Sequence, residues 1–321
     1  MNTRNYDVIV VGGGPAGLTA GIYLARARMR TLILNEGSVG GQMVLTHEVA
    51  NYPGVESTSG YQLATTMKNQ AKKFGCTIRS NVAVERMELA GETKTVWISG
   101  EEPVTANAVI LAPGGRSRVL GVPGEETFKG KGISYCATCD GDFFQDRDII
   151  VVGGGNSALE EAVSLTKYAR SVRVVHQFDH FQAFAHAVEE ARRNPKIEFV
   201  MESTIAEFLG GESLEAVTIR NLASSELTRT PIDGVFIFIG YVPNTEDLRG
   251  IVDLNPAGEI LVSPSLETSL SGVFAAGDAV AKKYRQITTA VADGTVAAMA
   301  AMDYLRSQRV EHTSEELVHA E

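Results

Sequence analysis

The chain has 321 residues, 44% of them hydrophobic and 21% charged, with a net charge of −10. That length suggests about two domains, and the acidic balance argues against nucleic acid as the main partner, because phosphate binding needs clustered Lys and Arg. No apolar stretch is long enough to span a membrane, three cysteines do not make a disulfide scaffold, and the N-terminus has no secretory apolar region, so a cytoplasmic enzyme is expected.

An apolar strand beginning at Asp7 runs into Gly12-Gly-Gly14-Pro15-Ala16-Gly17. Helical spacing then predicts a helix over 15–28, and 31–34 is a second apolar strand ending at Asn35 and Glu36. Residues 61–74 read as a helix, 77–89 and 93–99 as strands of a meander, and 108–111 as a short buried strand ending at Pro113-Gly114-Gly115. The block Cys136-Ala-Thr-Cys139-Asp140 follows, with Cys139 fourteen residues before Gly153. There the opening pattern returns. Residues 148–155 match 7–14 at a constant offset of 141, giving the turn Gly153-x-Gly155-x-x-Ala158, a helix over 156–169 and a strand over 172–175. Residues 235–239 and 273–275 are short apolar strands, each running into a glycine, Gly240 and Gly277. Residues 286–305 form a long alanine-rich helix suited to close packing on a sheet or another subunit.

Strand, glycine turn, helix and strand make the βαβ start of a dinucleotide-binding fold. The first glycine permits the sharp turn, the next lets the backbone approach a pyrophosphate, and the last keeps helix and strand close. One such turn is a weak signal; two in the same context are strong. The expected class is α/β with two Rossmann-like dinucleotide-binding domains.

A C-x-x-C pair can be a disulfide, half a zinc site or two idle thiols. Zinc needs four ligands. The third cysteine is Cys76, and His176, His180 and His186 lack ligand spacing, so no metal is expected. Two thiols beside a helix start suit redox cycling, because thiolates are stabilised there. Asp140 can exchange a proton with a sulfur, or cap a helix, or both. Cys76, between a helix and a strand, reads as a buried bystander.

The glycine turns, Gly40-Gly-Gln42, Asn51-Tyr-Pro-Gly54, Cys136-Ala-Thr-Cys139-Asp140 and Gly272-Val-Phe-Ala-Ala-Gly277-Asp278, followed by Arg285-Gln286, carry a resemblance. Along nearly its whole length the chain resembles the low-molecular-weight thioredoxin reductases, a class of FAD-dependent pyridine nucleotide-disulfide oxidoreductases. The resemblance implies a homodimer of three-layer ββα domains. An FAD domain would be built from 1–117 and 246–321, with a nucleotide-type domain, 118–245, inserted. Gly12, Gly14, Pro15, Ala16 and Gly17 would hold the FAD pyrophosphate, and Asn35 or Glu36 the ribose. Gly41, Gln42, Asn51 and the Gly114 turn would line the flavin. Gly277 and Asp278 would meet the ribityl or pyrophosphate region, and Arg285, Gln286 and Ile287 would close over the isoalloxazine end. Asp278 is also placed to cap a helix starting at Ala279. Cys139 would take electrons from the flavin and Cys136 would attack the disulfide of a thioredoxin-like protein, with a hinge near 115–120 and 242–247 exposing the pair.

The second nucleotide site departs from this pattern. Members that use NADPH carry arginines at the positions of Gln177, Phe178 and Gln182, where they hold the 2′-phosphate. Each charged contact is worth on the order of 1.5–3 kcal/mol, so losing two weakens NADPH by roughly 10²–10⁴-fold. NADPH is therefore disfavoured. NADH stays open, because Gly153, Gly155 and Ala158 keep the turn and Gln177, after His176, can bond a ribose. A donor without a nucleotide, such as reduced ferredoxin, is narrowly preferred, since Phe178 and Phe181 can fill the pocket. Another alternative is a flavoprotein carrying electrons between ferredoxin and a nucleotide with the cysteines as bystanders; the Cys-Ala-Thr-Cys-Asp block argues against it.

Overall fold

The structure is a computed structural model and describes residues 4–46 and 49–318. The chain divides into a discontinuous unit, Met1–Arg116 with Val242–Glu321, and an inserted unit, Ser117–Tyr241. The two segments where the chain passes from one to the other, β7 (Gly115–Ser117) and β16 (Tyr241–Pro243), pair as a two-stranded sheet.

In the discontinuous unit β1 (Asn5–Val11), α1 (Pro15–Arg26) and β2 (Thr31–Asn35) come first. Val8, Ile9, Val10, Leu32 and Ile33 are wholly buried, as strands covered on both faces require. β1 and β2 pair in parallel, and β3 (Thr77–Ser80) continues the sheet beyond β2. On the other side lies β6 (Val104–Leu111), also parallel. Its second half pairs with β17 (Val273–Ala275); its first half pairs antiparallel with β5 (Lys94–Ile98), which pairs with β4 (Val84–Glu88). One face is covered by α1, α2 (Gly60–Lys73) and α7 (Ile287–Val318). α7 approaches α1 so closely that a Cβ at Gly294 would run into the Ala16 carbonyl.

The inserted unit repeats the plan. β9 (Asp148–Val152), α5 (Asn156–Leu165) and β10 (Ser171–Val175) are its βαβ start. The pairs Ile149↔Val172 and Val152↔Val175 match Val8↔Thr31 and Val11↔Leu34, so the duplication extends to strand register. The parallel sheet also contains β11 (Ile197–Val200), β15 (Gly234–Ile237) and β8 (Ile133–Ser134), in the order β11-β10-β9-β15-β8. α5 and α6 (Ala185–Arg193) cover one face. An antiparallel sheet of β12 (Ser203–Gly210), β13 (Leu214–Asn221) and β14 (Leu227–Pro231) packs on the other. Two short helices, α3 (Glu125–Phe128) and α4 (Ala137–Asp140), precede β9. The α/β class with two Rossmann-like units is the one the sequence led us to expect.

Several boundaries differ from the sequence reading. The 77–89 strand is two strands. Asn81 takes a left-handed φ of 57°, and the chain leaves the parallel edge of β2 to join β5 antiparallel. α1 stops at Arg26 because Arg28 is left-handed at φ 62°. α5 stops at Leu165, and β15 at Ile237 rather than 239. α7 starts one residue later than expected and runs on to Val318.

Candidate active site

The first glycine turn is shaped by close approach. Gly12 has a φ of +111°, and a Cβ there would run into the Ala112 carbonyl; one at Gly17 would run into the Gly12 carbonyl. Gly14 is different: the nearest atom to its Cβ position is Gly41 Cα at 3.9 Å. Gly14 is also the N-cap of α1, with no side-chain cap and with Pro15 entering the helix. The amides that follow have no partner inside the helix and present positive charge to an anion. Asn35 reaches under the turn. Its Oδ1 accepts from the Gly13 amide at 2.8 Å, and its Nδ2 donates to the carbonyls of Glu36 and Gly37 at 3.0 and 3.1 Å. Those bonds engage both polar atoms of Asn35, whereas Glu36 is exposed.

Gly277 and Asp278 follow β17, and a Cβ at Gly277 would meet the Ala16 Cβ at 2.9 Å, so this turn lies against the start of α1. No helix begins at Ala279; the Val280 amide donates to the Gly277 carbonyl in a tight turn, so Asp278 is not a cap. Asp278 Oδ1 is buried without a hydrogen-bond partner among the described residues. Burial pushes its pKa up, against the pull of Lys282 and Arg285. A buried carboxylate oxygen without a donor costs about 1–3 kcal/mol, which a bound group bearing hydroxyls would relieve. Asp293, on α7, accepts from the Gly277 amide at 2.9 Å and from Lys282 at 2.5 Å, which fixes the turn. Arg285 pairs with Glu259 and donates to the Asp278 carbonyl at 3.2 Å.

Gly12, Gly14, Ala16, Gly17, Asn35, Gly41, Gly277 and Asp278 thus gather at one end of the parallel sheet. Gln42 is exposed next to Gly41, and Asn51 lines an open depression made by 50–56. Gly114 follows β6 at φ +63°, and Gln286 and Ile287 lead into α7. Unpartnered helix amides beside a buried, donor-seeking carboxylate fit a dinucleotide such as FAD.

The second turn keeps its shape. Gly153 has a φ of +140° and a Cβ there would run into the Phe238 carbonyl; Gly155 faces open space and Ala158 is buried. What lies beneath differs. The His176 imidazole packs on Gly154 and is 4% exposed. It stacks on Phe181 at 5.7 Å and meets Phe178 edge-on at 5.4 Å. Burial pushes its pKa down, and a carbonyl partner, that of His180 at 3.1 Å, places the ring hydrogen on Nε2. The following segment folds back on the turn: the Gln182 amide donates to the Gly154 carbonyl at 2.9 Å and the Phe184 amide to Asn156 Oδ1 at 2.7 Å. Gln177 and Phe178 are exposed, Asp179 pairs with His180, and Arg193 is paired with Glu189.

Cys136 and Cys139 form a disulfide with a Cα–Cα distance of 5.3 Å, within the normal range. Cys136 is the N-cap of α4, and the Cys139 amide donates to its sulfur at 3.2 Å. Asp140 makes no cap bond to the 3₁₀ turn that follows, contrary to one sequence reading. Its Oδ2 instead accepts from the Ser134 hydroxyl at 2.6 Å. Ser134 was not apparent from the motif; the hydroxyl two residues ahead of the first cysteine was the available signal. Glu125 was missed as well: it accepts from the Tyr135 hydroxyl and from the amides of Leu120 and Gly121. Cys76 is buried against the Thr31 carbonyl, and burial pushes its thiol up to about 12, which leaves it unreactive. Among the described residues, no cluster of His, Cys, Asp and Glu could hold a metal, and no helix is long and apolar enough to cross a membrane.

Residues 6–294 match the family described as pyridine nucleotide-disulphide oxidoreductase. The thioredoxin reductase of Peptoclostridium acidaminophilum is 43% identical over 94% of this chain and 98% of its own length. That of Mycolicibacterium smegmatis is 45% identical over 94% of this chain and 97% of its own. The crystal structure of thioredoxin reductase from Streptococcus pyogenes superposes with a TM-score of 0.91 at 39% identity, over 95% of this chain and 100% of that one.

Proposed function

We propose a function for this chain from one premise: it belongs to the pyridine nucleotide-disulphide oxidoreductase family and, within it, to the low-molecular-weight thioredoxin reductases, oxidoreductases acting on sulfur groups. The substrate is the disulfide of a thioredoxin-like protein. FAD, when bound, supplies a two-electron carrier between the donor and the Cys136–Cys139 disulfide. Gly12, Gly14, Ala16 and Gly17 hold its pyrophosphate. Glu36 takes the ribose, because Asn35 is already engaged by the turn backbone. Asp278 receives a hydroxyl. Gly41, Gln42, Asn51, Gly114, Arg285, Gln286 and Ile287 line the flavin side. The functional molecule is a homodimer.

After reduction, the Cys136 thiolate attacks one sulfur of the substrate disulfide. The Cys139 thiol then loses its proton and attacks Cys136, which closes the Cys136–Cys139 bond and releases the substrate as a dithiol. Asp140 moves the proton. The observation that carries this reading is the disulfide at the start of α4, with the Cys139 amide aimed at the Cys136 sulfur to stabilise a thiolate there. The test is Cys136→Ser and Cys139→Ser: thioredoxin reduction is lost while flavin is retained. Normal reduction by either variant would refute the reading and favour a flavoprotein carrier with idle cysteines.

NADPH is disfavoured as the electron donor. Gln177, Phe178 and Gln182 offer no cation to a 2′-phosphate, and the ring of Phe178 stacks on His180 where an arginine would be needed. A protein donor, reduced ferredoxin, is the preferred reading. NADH is the second, favoured by the intact Gly153–Gly155 turn and by a helix N-terminus with no side-chain cap at Gly155.

A further inference from the structure

Ser134 ends β8, is 5% exposed, and stands two residues before the redox pair. Its Oγ lies 2.6 Å from Asp140 Oδ2, 3.0 Å from the Cys136 amide and 3.2 Å from the Cys136 carbonyl. The amide can only donate, so Oγ accepts from it. A hydroxyl has one hydrogen. Of the two acceptors the carboxylate is nearer and carries charge, and 2.6 Å is the length of a charge-assisted O–H···O⁻ bond. The hydrogen therefore goes to Asp140. One hydroxyl ties the backbone of the first cysteine to the carboxylate after the second.

α4 packs against the 3₁₀ turn over 141–144, which carries Asp142, and against α5, which carries Glu160 and Glu161. All three are acidic, and burial followed by Glu160 pushes the Glu161 pKa up. The Ser134 hydroxyl favours the ionised form of Asp140 by donating to it.

We propose that Ser134 is a positioning residue of the thiol–disulfide step, holding Asp140 ionised and oriented so that it accepts the proton of the Cys139 thiol. This rests on the reading of Asp140 as the proton-exchanging group. The Cys136 thiolate forms a bond to one substrate sulfur, and the other leaves with the electron pair and takes a proton from solvent. Asp140 takes the Cys139 proton, Cys139 bonds Cys136, and the second substrate sulfur leaves with its electron pair and receives that proton. The dithiol is oxidised to a disulfide and the substrate disulfide is reduced to two thiols.

The test uses holoenzyme reduced with dithionite and mixed with oxidised thioredoxin in single turnover across pH. Without the hydroxyl, Asp140 holds its proton to higher pH. Ser134→Ala is expected to move the acid limb of the rate profile up by about one pH unit, the effect of one lost charge-assisted bond. Flavin content stays at the wild-type level. Should Ser134→Ala fold poorly, the isosteric pair decides: Ser134→Val shifts the limb and Ser134→Thr keeps it. An unmoved limb in both hydroxyl-free variants overturns the proposal while leaving the Asp140 reading intact. If Asp140→Asn itself leaves the profile unchanged, the Asp140 reading fails, and the proposal with it.

Discussion

Under the first glycine turn Asn35 accepts a hydrogen bond from the Gly13 amide; under the second, in the same strand register, the imidazole of His176 lies against Gly154. The amide of Asn35 completes the turn with backbone bonds, and the next residue, Glu36, is exposed. The ring of His176 instead stacks on Phe181 and meets Phe178 edge-on, and the chain behind it folds back onto Gly154 through Gln182. Glycines fix where a phosphate can approach. The residues closing the second strand decide what can lie beyond it, and in the inserted unit they offer rings instead of charge.

Changing those residues gives the largest expected effect. Gln177→Arg with Phe178→Arg places two cations after His176 and is expected to strengthen NADPH binding by roughly 10²–10⁴-fold, at two charged contacts of about 1.5–3 kcal/mol each. Titration of the variant with NADPH checks this; no gain would mean that the second turn is closed for reasons other than charge.

The next contrast lies at equivalent glycines. Gly14→Ala and Gly155→Ala both have room for a methyl group. The first is expected to fold and to bind FAD roughly 10²-fold less tightly, because the methyl sits where phosphate must meet the helix amides. The second is expected to keep flavin content and ferredoxin-dependent turnover. Equal loss of flavin in both would break the comparison.

A smaller difference separates Gly17 from Ala158. Gly17→Ala forces a methyl into the Gly12 carbonyl and should cost about 2–4 kcal/mol in a urea melt. Ala158→Gly should cost about 1 kcal/mol, the helix propensity difference.

The smallest effect is at the strand starts. Asp148 is held down to about 2 by hydrogen bonds from Arg170 and Ser171. Its pKa is lower folded than unfolded, so its contribution is present above about pH 4 and is lost as pH falls toward 2. Asp148→Asn should lower the Tm slightly at neutral pH and not at all near pH 2. A deficit independent of pH would point to packing rather than charge.

Much of this contrast was legible in the sequence. The offset of 141 identified both turns, and matched register followed because the same apolar strands flank the same helix. Periodicity could not see the left-handed Asn81 that divides 77–89 into two strands, since alternation continues across the break. Nor could it choose between Asn35 and Glu36, which depends on which side chain the turn backbone engages. Ser134 was hidden for a similar reason: its role is a tertiary hydrogen bond to a residue six positions on, in a different element.

The central claim is that electrons reach Cys136 and Cys139 through a flavin whose donor is not NADPH. Anaerobic bleaching of the flavin in the purified protein tests it most directly, with NADPH, NADH and reduced ferredoxin added separately. The account predicts rapid bleaching by reduced ferredoxin and none by micromolar NADPH, and bleaching by NADH alone would select the second reading of the donor. Rapid bleaching by micromolar NADPH would contradict the account.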